Sequence, residues 1–110
     1  MVKFNFIYKK KKINIDVKEC RNFFSKASGL MFRKKSKPLL FIFSRETHEA
    51  IHSFFCLPFF AIWFRGNKII DVQYVKPWRF YVKSLRKFDK LLEIPMNDNN
   101  FCKFKLLISK

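Results

Sequence analysis

Glycine is scarce in this 110-residue chain, with two residues, and proline contributes only four. Two glycines cannot build a glycine-rich phosphate-cradling loop, which excludes the common nucleotide-binding signatures. So little Gly and Pro, in a chain that is 49% hydrophobic, also excludes a disordered or low-complexity segment. Acidic residues are few, eight against 24 Lys and Arg. No carboxylate pair, Ser-His-Asp set or other catalytic constellation stands out among them. Cysteine appears three times, at Cys20, Cys56 and Cys102, without a C-x-x-C pair, so neither a zinc ribbon nor a thioredoxin-like site is indicated. An odd, scattered set fits a reducing compartment. Cys56 and Cys102 lie in apolar stretches and read as small buried hydrophobes.

No apolar run is long enough to span a membrane. The longest uncharged stretch, Ala50 to Phe64, would measure about 22 Å as a helix against a hydrocarbon core of roughly 30 Å. It also contains His52 and Pro58. The N-terminus has its apolar residues before its lysines, the reverse of a secretory signal. These features make cytoplasm the expected location and one domain over 1–110 the expected organisation.

What is present in quantity is phenylalanine, with sixteen residues, and positive charge, with a formal net value of +16. Such a charge attracts phosphate and makes a nucleic-acid partner, or at least weak non-specific nucleic-acid contact, an alternative to consider. Phe, Ile, Lys and Asn together make nearly half of the chain, a bias that also accumulates lysine on any solvated face without selecting for a partner.

Periodicity gives the elements. Val2, Phe4 and Phe6 alternate with polar residues, as do Ile13, Ile15 and Val17, which predicts two strands flanking the Lys9–Lys12 run. Phe23, Phe24 and Ala27 share one helical face, so a short helix is expected over Cys20–Ser28, ended by Gly29. Leu39 to Phe43 is continuously apolar, as a strand buried on both faces would be. Ser44 to Thr47 reads as a polar turn, placing His48 at a strand start. Gly66-Asn67 between Ile62–Arg65 and Lys68–Tyr74 predicts a hairpin. Leu91–Ile94 is a short strand, and the alternation of Cys102, Phe104, Leu106 and Ile108 predicts a last one. The expected fold is mainly β (α+β): a small barrel-like or sandwich arrangement, antiparallel-rich, with one short N-terminal helix.

One motif points elsewhere. His48-Glu49-x-x-His52 has the zinc-hydrolase spacing, which puts two imidazoles on one face of a helix beside a general base. Pro58 and the phenylalanine run after it argue for extended backbone instead, and a third ligand has no motif of its own, Cys56, Asp71 and Glu93 being merely available. The zinc hydrolase is therefore a remote alternative, and no metal, cofactor or catalytic residue is assigned.

Several short motifs come in one order: "GLMFR" at 29–33, "LLFIF" at 39–43, "IHSFF" at 51–55, Pro58, "AIWFRGNKIIDV" at 61–72, "VKPW" at 75–78 and "LLEIP" at 91–95. Over about residues 20–95 this series resembles domain-of-unknown-function family 192, in its archaeal-type form. The resemblance implies a compact β-barrel-like domain without an established activity, and makes His52 a family-like position. It departs from the family where an aspartate is expected shortly after Pro58 and a glycine after "LEIP". The candidate ligand-binding residues are Arg33, His52, Lys76, Trp78 and Arg79. Arg33 could fix a carboxylate or phosphate, or pair with Glu46, Glu49 or Glu93. His52 could equally be a hydrogen-bonded core histidine. Trp78, between Lys76 and Arg79, could offer a stacking face or close one end of a barrel. The function expected is a non-enzymatic binding or accessory module for a small-molecule or protein ligand.

Overall fold

A computed structural model describes residues 2–20, 37–51, 58–79 and 81–108. Six strands run in the order β1 (Val2–Tyr8), β2 (Lys11–Cys20), β3 (Leu39–Thr47), β4 (Phe59–Arg65), β5 (Lys68–Val75) and β6 (Phe88–Pro95), followed by helix α1 (Asn99–Ile108). They form one curled half-barrel sheet with the spatial order β1-β2-β3-β6-β4-β5, rather than the two facing sheets of a sandwich. All neighbours are antiparallel except β2 and β3, which are parallel and joined through residues 21–38.

The predicted Gly66-Asn67 hairpin is present, and the two strands flanking the lysine run also pair as one. In β1–β2 the turn is Lys9-Lys10, at φ 50° and 65°. Both residues are left-handed, the geometry for which Asn-Gly is the usual choice. The Lys9 ammonium donates to the Leu107 and Ile108 carbonyls at 3.2 and 3.0 Å, so it satisfies orphan acceptors at the end of α1. In β4–β5, Gly66 takes a φ of 62°, and its N–H donates to Asp89 Oδ2 at 2.9 Å, tying the turn to β6.

Strand alternation divides the side chains between two faces. On the first, Leu40, Leu92, Ile62 and Val72 form one row across β3, β6, β4 and β5. Phe60, Ile94, Phe6, Ile15 and Val17 join them, and α1 covers this face with Phe101 and Phe104. Phe60 and Phe101 stack at 4.6 Å between centroids, and Phe104 packs edge-on against Phe60 at 5.4 Å. On the second face lie Leu39, Phe41, Phe59, Ala61, Trp63, Val75 and Leu91, closed over by Val82 and Phe88.

Three expectations are corrected. The last strand is α1: Phe101, Phe104, Leu107 and Ile108 fit a helical stripe as well as the strand pattern did, and Asp98 decides between them. Its Oδ2 accepts from Asn100 N at 2.9 Å, an N-cap that satisfies a first-turn donor. The same change of period leaves Cys102 exposed; Cys20 is buried, and Cys56 lies outside the described residues. Ser44–Thr47 is no turn; it continues β3, where pairing with β6 is interrupted between Ile42 and Thr47. His48 accordingly follows a strand end. The helix described is C-terminal; apart from Cys20, which closes β2, the predicted N-terminal helix lies outside the described residues.

Candidate functional site

The second face carries the polar groups. Glu93, in the central strand β6, sits between Leu39 of β3 and Ala61 of β4, and the row continues to Gln73 of β5. The next row is Phe41, Leu91, Trp63 and Asp71. Glu93 is only 7% exposed and has no hydrogen-bond or ion-pair partner among the described residues. A carboxylate removed from water without a partner is costly, so burial pushes its pKa up from the usual 4.5 to about 8. At neutral pH it is mostly a carboxylic acid, able to donate as well as accept.

Trp63 lies diagonal to Glu93, two residues along β4 from Ala61, at a separation of roughly 7–8 Å for such pairs. Its indole Nε1 is buried and has no hydrogen-bond partner among the described residues. Asp71, by contrast, is held: Oδ1 accepts from Val72 N and Oδ2 from Gln73 Nε2, both at 2.8 Å. A largely buried carboxyl and a buried indole N–H without a partner among the described residues thus share one surface beside the small side chain of Ala61. For the indole N–H this leaves a desolvation cost of about 1–3 kcal/mol that no group among the described residues offsets.

Residues 81–88 close over this face through Val82 and Phe88 and are fastened at several points. Ile51 and Val82 exchange two backbone hydrogen bonds of 2.8 Å. Gln73 Nε2 donates to Lys83 O at 2.8 Å. His48 Nε2 lies 2.7 Å from Ser84 O; a carbonyl only accepts, so that nitrogen carries the proton. Val82, Ser84 and Phe88 point inward, while Tyr81, Lys83 and Leu85 point out.

The structure separates the sequence-predicted residues. Lys76, Trp78 and Arg79 follow β5 on the surface, around a turn at Pro77-Trp78. Trp78 is 57% exposed, so it does not close an end of the barrel, and its φ of 64° is rare for a bulky residue and costs on the order of 1–3 kcal/mol. Arg33 and His52 lie outside the described residues. Of the acids offered as partners for Arg33, Glu46 pairs with Arg65 at 2.6 Å. Residues 48–50 have no helical backbone and Ile51 bridges to Val82, so His48 and Glu49 do not start a zinc-binding helix. Among the described residues no group of three His, Cys, Asp or Glu is placed to hold a metal. No helix among them is long and apolar enough to cross a membrane. Sequence reasoning treated Glu93 only as a spare acid; the signal available was a single charge inside the apolar "LLEIP" strand.

No family model matches the chain. Two curated archaeal proteins do. UPF0127 protein PF1050 of Pyrococcus furiosus is 38% identical over 80 residues, 69% of either chain. UPF0127 protein PH1112 of Pyrococcus horikoshii is 36% identical over 75 residues, 64% of this chain and 65% of its own. The chain thus spans about two thirds of the length of these relatives. Among solved structures, a protein of unknown function from Novosphingobium aromaticivorans superposes with a TM-score of 0.76 at 14% identity, over 87% of this chain and 74% of that one. A Sinorhizobium meliloti protein, suggested to be a transcription regulator, does so with 0.72 at 15%, over 83% and 76%. At these identities the structural likeness is one of fold.

Proposed function

The chain belongs to the UPF0127 family, whose members are uncharacterised, and on that premise we propose that it is a non-enzymatic binding module with its ligand seat around Glu93. The observation that carries this reading is a buried Glu93 carboxyl on the same face of the sheet as the Trp63 indole N–H, which has no partner among the described residues. Native folds satisfy nearly all buried polar groups, and an exception calls for a partner or a role. A compact ligand with an acceptor for the indole N–H, and a donor or acceptor for Glu93, would satisfy both. A small carboxylic acid or amide has that chemistry. Binding is favoured over catalysis because the neighbours of Glu93 in its row, Leu39 and Ala61, carry no proton to exchange, and Asp71 is committed to Val72 and Gln73. The order of motifs from "GLMFR" to "LLEIP" supports grouping the chain with domain-of-unknown-function family 192. The scattered cysteines support a cytoplasmic location.

The test is an NMR titration of ¹⁵N-labelled protein with acetate and acetamide, following the two indole N–H signals. A saturable shift of the Trp63 signal with one of these probes, lost in a folded Glu93→Leu variant, is the expected result. No saturable shift with either probe, or the same shift without Glu93, rejects the seat.

A further inference from the structure

Residues 76–87, "KPWRFYVKSLRK", hold five cations and no acid. The other dense group of cations among the described residues, Lys9–Lys12 on the β1–β2 hairpin, has one ring beside it, the half-buried Tyr8. On this segment cations alternate with rings. Trp78 and Tyr81 are 57% and 64% exposed, Lys83 Nζ stands 6.0 Å from the Tyr81 ring centre, and Leu85 beside them is 74% exposed. Three of the large hydrophobic side chains left in water therefore fall within eight residues. The backbone next to Tyr81 is anchored at Val82, Lys83 and Ser84 through Ile51, Gln73 and His48, so Tyr81 and Lys83 stand on a fixed ledge.

We propose that this ledge docks single-stranded nucleic acid, with Trp78 and Tyr81 as stacking faces and Lys76, Arg79 and Lys83 as phosphate contacts. The sequence-independent chemistry of single-strand binding is this pairing of exposed rings with a basic track. Charge complementarity selects a polyanion, and the rings select one whose bases are unstacked, since a duplex hides its base faces. The ledge is separate from the Glu93 seat in both residues and chemistry, so either can fail without the other.

Fluorescence anisotropy with a labelled oligouridylate, titrated with salt, tests the ledge. Trp78→Gly removes a ring without changing charge, and glycine accepts the positive φ, so the fold is retained. It should weaken binding on the order of tenfold, the scale of one lost stacking contact, with the salt slope unaltered. Tyr81→Ser should act alike and carries the test if Trp78→Gly does not fold. Lys83→Gln, at a proposed phosphate contact, should flatten the salt slope, whereas replacing Lys11 and Lys12 with Gln, on the β1–β2 hairpin, should leave the slope unaltered and high-salt affinity within about twofold. Ring variants that bind as wild type does would overturn the proposal. So would equal affinity for duplex DNA, or phosphatidylserine vesicles that displace the oligonucleotide.

Discussion

The two faces of the sheet solve the same packing problem in different ways. The first is apolar, with rings set among aliphatic side chains: α1 lays Phe101 and Phe104 onto Phe60, Ile62, Phe64 and Leu92, and the β1–β2 hairpin adds Phe6, Ile15 and Val17. The second face has an equally apolar ground, from Phe41 to Phe88, but sets into it a carboxyl and an indole N–H with no described partner. Its cover among the described residues is an irregular segment that turns cations and rings outward. A face that serves stability alone has no reason to retain such groups, because apolar substitutes of similar shape are as stable or more so. The contrast is between a helix-covered face that only packs and the face on which the proposed seat lies.

The contrast breaks first on the helix-covered face. Phe104→Ala removes a ring that is 1% exposed and touches Phe6, Tyr8 and Phe60. A loss of about 3–5 kcal/mol is expected in urea unfolding, together with loss of α1 docking. On the other face Glu93 gives the opposite sign. Its folded pKa, about 8, lies above the unfolded value, so the native state holds the extra proton between them. The stabilising contribution of that protonation is fully present below about pH 4.5 and is lost as pH rises through about 8. Wild-type stability should fall across that window by an amount on the order of 3 kcal/mol, once relaxation around the charge is allowed for. Glu93→Leu should flatten the profile and be the more stable protein at pH 8. A wild-type profile parallel to that of Glu93→Leu would remove the case for a neutral buried carboxyl.

Smaller effects sharpen the picture. Lys9→Met keeps the stem but removes the ammonium from the α1 carbonyls; about 0.3–1 kcal/mol should be lost, and less at high salt. Glu49→Gln, exposed and outside any described metal cluster, should leave the melting temperature unchanged, and the purified protein should contain no stoichiometric zinc. Stoichiometric metal that disappears in both His48→Ala and His52→Ala would restore the hydrolase reading.

Much of this architecture was legible because strand period and turn chemistry are local. Val2 to Phe6, Ile13 to Val17 and the Gly66-Asn67 hairpin carry their own signals, and the order of motifs pointed to an uncharacterised family with a barrel-like sheet. The last element was misread because Cys102 to Ile108 satisfies two periods at once, and only contact with Phe60 and the Asp98 cap resolves them. Ser44 to Thr47 was misread for a related reason: polar residues mark a turn in isolation, but also mark a strand that has left its ladder.

The sequence by itself determined the alternating strands, the positive field and the absence of any glycine-rich phosphate loop, since each depends on residues close together in the chain. Only tertiary structure decided which face each strand offers to which neighbour. It set β6 between β3 and β4, and so placed Glu93 against Ala61 and diagonal to Trp63, residues some thirty positions apart. It also decided that Trp78 and Tyr81 face water while Trp63 and Phe88 do not. Burial is a property of the assembled sheet: an aromatic or an acid has the same local chemistry in every context, and its environment exists only once distant strands have paired.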